Sequence, residues 1–223
     1  MALNLQYNEI RWSMEDLEIF KGIDIDSISA MLKCFNATKK EFKRDYTITS
    51  NLINTELIGI IIEGTANIVK YDLNGNRTII EKLERNGVFG KVFSYIDGSM
   101  QVVATSKCSV LFIEYSCIIN RCKKNCPHHA KLTDNVLNLL SDKIVLLNDR
   151  LEVLSKRSTR DKLLTYFNLL TKNKPRKSFV LPFTYTELAD YLSIDRSAMM
   201  RELKNMKDEG FITTNGRKIT LSD

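Results

Sequence analysis

The spacing of apolar residues changes from a strand pattern to a helical pattern near Pro127, and this change constrains the fold more than any other feature. From Tyr46 to Glu114, β-branched and aromatic residues alternate with polar ones, a pattern typical of short strands. From Pro127 to Lys156, apolar residues instead recur every three or four positions, a pattern typical of one helix of about 30 residues. The order of strands followed by helices predicts an α+β protein.

The strand region predicts a β-roll. Residues 58–83 are expected to form two strands joined at Asn74-Gly75, a dipeptide that tolerates the positive φ angles of a tight turn. Residues 108–115 predict a further strand. Several short strands with turns between them favour a jelly roll, or double-stranded β-helix, within residues 1–126. Residues 14–35 have helical spacing, and we expect them to pack across the mouth of this roll.

The long helix, residues 127–156, carries a single apolar stripe that predicts a dimer. With polar residues on its other faces, a helix of this length usually needs a partner. The alternative is that the stripe only covers the roll, which its amino-terminal half could do. We expect homodimerisation through the remainder, and the candidate residues are Leu140, Ile144, Leu147, Leu151 and Leu154.

The third segment, residues 157–223, predicts a winged helix-turn-helix. The stretch FTYTELADYLSIDRSAMMREL, residues 183–203, reads as two short helices joined by a tight turn. Thr184 and Glu187 fit a capping box for the first helix, and Asp195 can cap the second. A helix and a short strand are expected before this pair, and Asn215-Gly216 marks a hairpin after it.

The second helix of the pair is the expected DNA reader, because in a helix-turn-helix it lies in the major groove. Arginine suits this task, since its fork pairs with the O6 and N7 atoms of guanine. Arg196 and Arg201 are five residues apart and point in different directions, so one can read a base while the other grips phosphate. We expect Lys204, Arg217 and Lys218 to contact the DNA backbone. The full set of expected DNA contacts is Thr184, Thr186, Arg196, Ser197, Met200, Arg201, Lys204, Arg217 and Lys218. The alternative is a helix pair in a core with a solvated charged face.

The charge distribution also points to a polyanion partner for the last third of the chain. Residues 157–223 contain 13 Lys and Arg against 8 Asp and Glu, whereas residues 1–156 contain 20 against 19. A basic excess confined to one small segment favours nucleic-acid binding, and the alternative is a solvated lysine-rich surface.

Residues 183–212 resemble the DNA-binding domain of the Crp/Fnr family of bacterial transcription regulators. The shared motifs are T-x-x-E-L-A from Thr184, R-x-x-x-x-R-x-L from Arg196 and E-G-x-I from Glu209. The likeness extends over nearly the whole chain, with roll, long helix and wing in family order. It implies a homodimer that binds a near-palindromic site in double-stranded DNA, with half-sites about one helical turn apart. It also implies RNA polymerase as a partner, and it implies no membrane partner.

Two regions depart from the pattern of the family. In the second helix, Ser197 and Met200 replace residues of the Fnr-type reader and only Arg201 is kept, so we expect a different target sequence. In the roll, family members that bind cyclic nucleotides have an acid and then an Arg-Ser or Arg-Thr pair, where this chain has Lys91, Gln101 and Val102. A buried cyclic phosphate would lose its charge-assisted hydrogen bonds, so we expect no response to cAMP and leave the effector unidentified. The candidate residues of this degenerate pocket are Gly90, Lys91, Gln101, Val102, Leu147 and Asn148.

The cysteines raise an alternative function as a metal- or redox-sensing module. Cys117, Cys122 and Cys126 precede His128 and His129, and thiolate and imidazole both suit zinc or an iron–sulfur cluster. The spacing matches no metal motif, so we expect no metal; the candidate ligands, if one binds, are Cys122, Cys126 and His128. Otherwise the cysteines are buried thiols.

Other functional classes fit the sequence less well. A ligand-sensing module that acts through protein contacts would share the roll but lack the basic wing. An enzyme is not expected, because no nucleophile context and no phosphate-binding glycine run is present. The first 20 residues include charges and no long apolar run, so we expect no signal peptide and a cytoplasmic protein.

Overall fold

The computed structural model describes residues 14–51, 56–91, 93, 100–120, 128–172 and 177–222. Backbone contacts divide the chain into two compact units. One comprises Met1–Asn76 and Ile80–Lys143, and the other comprises Arg77–Ile79 and Ile144–Asp223. The division falls inside the long helix, and the domain boundaries at residues 126 and 156 stay predictions.

Seven strands form two sheets that make up the β-roll. They are β1 (Thr38–Phe42), β2 (Leu57–Glu63), β3 (Ala66–Tyr71), β4 (Arg77–Leu83), β5 (Val88–Gly90), β6 (Met100–Ala104) and β7 (Cys108–Glu114). A four-stranded sheet has the order β1-β7-β2-β5, and a three-stranded sheet has the order β4-β3-β6. The predicted strand at residues 108–115 is confirmed as β7, whereas β1 lies upstream of the predicted strand region.

Residues 58–83 form three strands, so the prediction of two strands is wrong. Gly64 separates β2 from β3 with a φ of +84°, and a side chain there would collide with the carbonyl oxygen of Lys107. The connection from β3 to β4 is also longer than a two-residue turn. It is a five-residue loop in which the Asp72 carboxylate accepts hydrogen bonds from the N–H groups of Asn74 and Asn76, both at 2.8 Å.

Strand β2 is buried on both of its faces, which explains its continuous apolar run. Ile61 points into the core between the two sheets, where it joins Ile68, Phe89 and Phe112. Ile58, Ile60 and Ile62 point the other way, into a second core built with the helical residues before β1. These residues include a 3-10 turn (Glu18–Phe20) and helix α1 (Ile25–Cys34). They therefore cover the outer face of the four-stranded sheet, and not the mouth of the roll as predicted.

The predicted long helix is confirmed as α3 (His129–Leu154), which follows a short helix α2 (Tyr115–Ile119). Its first turns pack against the roll, because Leu132 and Val136 are buried in the same core as α1. Pro127, the predicted first residue of the helix, lies outside the described residues. Within the part of the chain that the structure describes, no helix is long and apolar enough to cross a lipid bilayer.

The second unit contains the helix-turn-helix and its wing. Its elements are α4 (Thr159–Thr171), β8 (Ser178–Val180), α5 (Tyr185–Leu192), α6 (Arg196–Asp208), β9 (Ile212–Asn215) and β10 (Lys218–Leu221). The last two strands and β8 form an antiparallel sheet of order β8-β10-β9. The predicted order of elements is confirmed. The hairpin turn is shifted by one residue, because Asn215 pairs with Lys218 and the turn residues are Gly216, with a φ of +57°, and Arg217.

Candidate nucleic-acid interface

The two helices of the candidate interface begin at the predicted caps. The Thr184 hydroxyl accepts a hydrogen bond from the Glu187 N–H, and the Glu187 carboxylate accepts one from the Thr184 N–H at 2.9 Å. Helix α5 ends at Leu192, and its C-cap Ser193 adopts a left-handed conformation. After a three-residue turn, the Asp195 carboxylate accepts from the Ala198 N–H at 2.8 Å and starts α6.

The apolar and polar faces of α6 are separated as the sequence predicts. Met199, Leu203 and Met206 are buried, and they pack in a unit that also buries Leu188 and Leu192 of α5. The opposite face is exposed, and its residues are Arg196, Ser197, Met200, Arg201 and Lys204. The predicted contact residues of this helix therefore share one accessible surface, which we call the reading face.

An arginine that sequence reasoning missed holds α6 to α4. Arg160, in the first turn of α4, donates to the Glu202 carboxylate and to both oxygens of Glu209, the latter at 2.7 Å each. Its guanidinium group also lies 5.7 Å from the centre of the Phe211 ring. The carboxylates raise the pKa of Arg160, and hydrogen bonding from Arg160 lowers the pKa of Glu209. Glu202 and Glu209 are seven residues apart, and that spacing was the available signal that they share a helix face.

The wing is fixed to the start of α5. The Tyr185 hydroxyl donates to the Gly216 carbonyl at 2.7 Å, and the Leu181 N–H donates to the Arg217 carbonyl at 2.9 Å. Arg217 and Lys218 are exposed at this tip, and Thr184 and Thr186 are exposed at the helix start. The Thr184 hydroxyl is engaged in the helix cap. The four predicted contacts outside α6 are thus exposed, and hydrogen bonds hold the two segments that carry them, the wing tip and the start of α5, together.

The end of α3 packs on the helix-turn-helix within the second unit. Val153 is buried, and the Arg150 guanidinium group lies 4.4 Å from the centre of the Tyr191 ring of α5. By contrast, Ile144, Leu147 and Leu151 remain 47–67% exposed in the single chain. Leu140 and Leu154 are half-buried. The predicted dimer stripe therefore presents uncovered apolar surface in its central part.

The candidate effector-pocket residues fall in different elements of the chain. The Lys91 ammonium group pairs with the Glu56 carboxylate at 2.8 Å. Gln101 is half-buried on β6, and Val102 is fully buried between the sheets. Gly90 ends β5, while Leu147 and Asn148 are exposed on α3 in the other unit.

A buried ion pair joins α3 to the roll. Lys143 is 8% exposed, and its ammonium group lies 2.7 Å from the Glu81 carboxylate of β4. The same group donates to the Val88 carbonyl at 3.1 Å. Both charges are therefore satisfied inside the first unit, by residues that sequence reasoning did not single out.

Of the candidate metal ligands, only His128 can be placed, because Cys122 and Cys126 lie outside the described residues. The His128 ring lies 3.1 Å from the Asp24 carboxylate, which caps α1. Among the described residues, no group of three or more His, Cys, Asp or Glu side chains could hold a metal ion. The thiol of Cys117 is half-buried, and burial raises its pKa.

Comparisons with known proteins agree with this architecture. Residues 161–223 match the family model of the Crp-like helix-turn-helix domain. No curated protein sequence matches the chain. Among solved structures, a CooA variant from Carboxydothermus hydrogenoformans is 15% identical with a TM-score of 0.71, and the match covers 87% of this chain and 86% of that one.

Two further solved structures show the same fold over most of the chain. FixK2 from Bradyrhizobium japonicum is 18% identical with a TM-score of 0.62, covering 84% of this chain and 93% of that one. The c-di-GMP-responsive global regulator CLP from Xanthomonas campestris is 14% identical with a TM-score of 0.66, covering 90% and 100%. Residues 161–223 therefore form a Crp-like helix-turn-helix domain, and the chain as a whole has the fold of the Crp/Fnr transcription regulators.

Proposed function

We propose that this protein is a homodimeric transcription regulator that binds a near-palindromic DNA site through the reading face of α6. The observation that carries the proposal is the exposure of Arg196, Arg201 and Lys204 together on a helix whose other face is buried. A helix presented in this way can enter the major groove, where arginine reads guanine and lysine neutralises phosphate.

The two arginines take different roles in this proposal. Five residues of an α-helix correspond to about 140° of rotation, so Arg196 and Arg201 diverge on the reading face. We assign base reading to Arg201, the one residue of the Fnr-type reader that this chain keeps, and Arg196 then lies nearer to the sugar–phosphate backbone. Arg217 and Lys218 contact backbone from the wing and add affinity for any sequence.

The dimer forms through α3 in this proposal. Ile144 and Leu151 are seven residues apart and about 20° apart around the helix, so they share a stripe that a second copy can cover. Two-fold symmetry then presents two reading faces to successive major grooves, and the target site is two-fold as well.

The roll does not bind cAMP in this proposal. Support comes from the absence of an arginine at Gln101, from the burial of Val102, and from the pairing of Lys91 with Glu56. Isothermal calorimetry tests this part, and cAMP binding at micromolar affinity or tighter would overturn it.

The test of DNA binding is a selection from a random duplex pool with the full chain, without added effector, at about 0.15 M salt, where non-specific binding is weak. We expect enrichment of a two-fold site with half-sites about ten base pairs apart. Enrichment of a single half-site would contradict the dimer, and enrichment of no sequence would contradict an effector-independent reader.

A further inference from the structure

Two thiols from distant parts of the chain lie next to each other in the first unit. Cys34 is the last residue of α1 and is exposed, and Cys117 lies in α2 and is half-buried. Both are free thiols, separated by 83 positions in the sequence. The Cys117 sulfur lies 3.8 Å from the main-chain oxygen of Cys34. This contact joins the end of α1 to the short helix that follows β7.

The distance from the Cys117 sulfur to the Cys34 backbone is close to that found in a disulfide. A main-chain oxygen lies about 2.4 Å from its own Cα atom, so the Cys117 sulfur is within about 6 Å of the Cys34 Cα atom. In a disulfide, a sulfur lies within about 5 Å of the partner's Cα atom, since the S–S bond is about 2.05 Å long. The Cys117 sulfur therefore lies within about 1–2 Å of the separation from the Cys34 Cα atom that a disulfide allows.

The electrostatic environment gives the two sulfurs different roles. Burial and the neighbouring Glu114 carboxylate raise the pKa of Cys117, and the charge of the Cys34 thiolate acts in the same direction. Cys34 is the solvent-exposed thiol that can react with a dissolved oxidant, and Cys117 is the half-buried thiol near it.

We propose that Cys34 and Cys117 form a reversible disulfide when the protein meets an organic hydroperoxide. The Cys34 thiolate attacks the outer peroxide oxygen, the O–O bond breaks, and an alcohol leaves, which converts Cys34 to a sulfenic acid. The Cys117 sulfur then attacks the Cys34 sulfur, and water leaves as the S–S bond forms. Two electrons pass from the thiols to the peroxide, and the two thiol protons end in the alcohol and the water.

The bond would clamp elements that share one core. Phe35 follows Cys34 and Ile118 follows Cys117, and both are buried in the core that α1, the four-stranded sheet and the start of α3 have in common. A covalent link across 83 positions restricts the unfolded chain more than the native one. The oxidised protein is therefore expected to unfold at a higher temperature than the reduced protein, and a thiol reductant is expected to reverse the shift.

Peptide mapping of the full chain after treatment with tert-butyl hydroperoxide tests the proposal. We expect a linked pair of peptides that contain Cys34 and Cys117, about 2 Da lighter than the two thiol peptides together, and lost on reduction. The link should persist in the Cys122→Ser/Cys126→Ser double variant and disappear in Cys34→Ser. The buried Cys108, whose pKa burial raises to about 11, should be recovered as a free thiol and serves as an internal control.

Either of two results would overturn the proposal. One is recovery of Cys34 as an alkylated thiol or as a stable sulfenic acid after oxidation. The other is a link from Cys34 or Cys117 to Cys122 or Cys126 in place of the expected one. Because the mapping uses the natural sequence, neither result depends on whether the serine variants fold.

Discussion

In the proposed function, single side chains on the reading face decide sequence preference. Arg201 is exposed on α6, so its replacement leaves the buried residues of the helix in place. Arg201→Ala should remove about 1–3 kcal/mol of discrimination between the selected site and a random duplex. Competition binding on both duplexes measures this difference. Arg44→Ala removes the same charge from an exposed position of the roll and is the matched control. An unchanged preference in Arg201→Ala would contradict the assignment of base reading.

Side chains on the wing should affect affinity without affecting preference. Lys218 is exposed beside the turn, and a lysine on phosphate releases counterions whatever the base sequence. Lys218→Ala should weaken binding to all duplexes by similar factors. The slope of log affinity against log salt should become shallower by about one unit. Lys39→Ala, on exposed strand β1, is the control and should leave the slope unaltered. A slope in Lys218→Ala as steep as that of the unsubstituted protein would exclude a phosphate contact at Lys218.

At the scale of elements, Arg160 joins α4 to α6, and the stability that it provides should depend on pH. Arg160 lowers the pKa of Glu209 below its usual value of 4.5, so the pair stabilises the fold above that pH. The stabilisation is lost as the pH falls through the lowered pKa, because the folded carboxylate must then take up a proton. Arg160→Gln should therefore lower the melting temperature most above pH 5 and least near pH 3. Arg157→Gln, an exposed neighbour, should show no such trend, and a pH-independent difference in Arg160→Gln would contradict the linkage.

The Lys143–Glu81 pair joins α3 to β4 with only 9% and 19% of the two side chains exposed. Removal of one partner leaves an uncompensated charge, so Lys143→Met should destabilise the protein by about 3 kcal/mol in urea unfolding. The double variant Lys143→Met/Glu81→Leu should recover most of that loss, because both charges are then removed. Equal destabilisation by the single and double variants would show that the two side chains are not coupled.

Interactions between residues close together in the sequence could be predicted, whereas those between residues far apart in the sequence could not. The caps of α5 and α6 could be predicted because Thr184 bonds to a residue three positions away, and Asp195 does the same. The role of Arg160 could not, since its partners lie 42 and 49 positions along the chain. The same applies to Lys143, because its partner Glu81 lies on β4 and no local sequence pattern indicates that β4 contacts the long helix.

The strand errors have a related cause. An apolar run such as that of β2 has no alternation to mark its ends, because both of its faces are covered. The run ends at the exposed Glu63, and the single glycine after it, Gly64, is a weak signal for a turn. The order of the winged segment was predictable because turns and caps of distinctive composition separate its elements.

At the scale of the whole molecule, the proposed function depends on two copies acting together. One recognition helix reads only a few base pairs, so a selective site requires a second copy at a fixed spacing. Ile144 and Leu151 are 59% and 67% exposed on the same stripe of α3, and apolar surface of this kind is expected to be covered by another chain. In this proposal the length of the DNA site therefore depends on the dimer, and a monomer should recognise a half-site in place of the full two-fold site.

The double variant Ile144→Glu/Leu151→Glu tests this linkage by placing four like charges in the expected interface. Sedimentation velocity should give a monomer, and selection from a random pool should enrich only a half-site or no site at all. Leu146→Glu is the matched control, because Leu146 is 57% exposed but lies about 140° from Leu151 around the helix. It should remain a dimer and select the full two-fold site. A dimeric double variant would place the interface elsewhere on the chain, whereas a monomer that still selects the full site would separate DNA recognition from dimerisation.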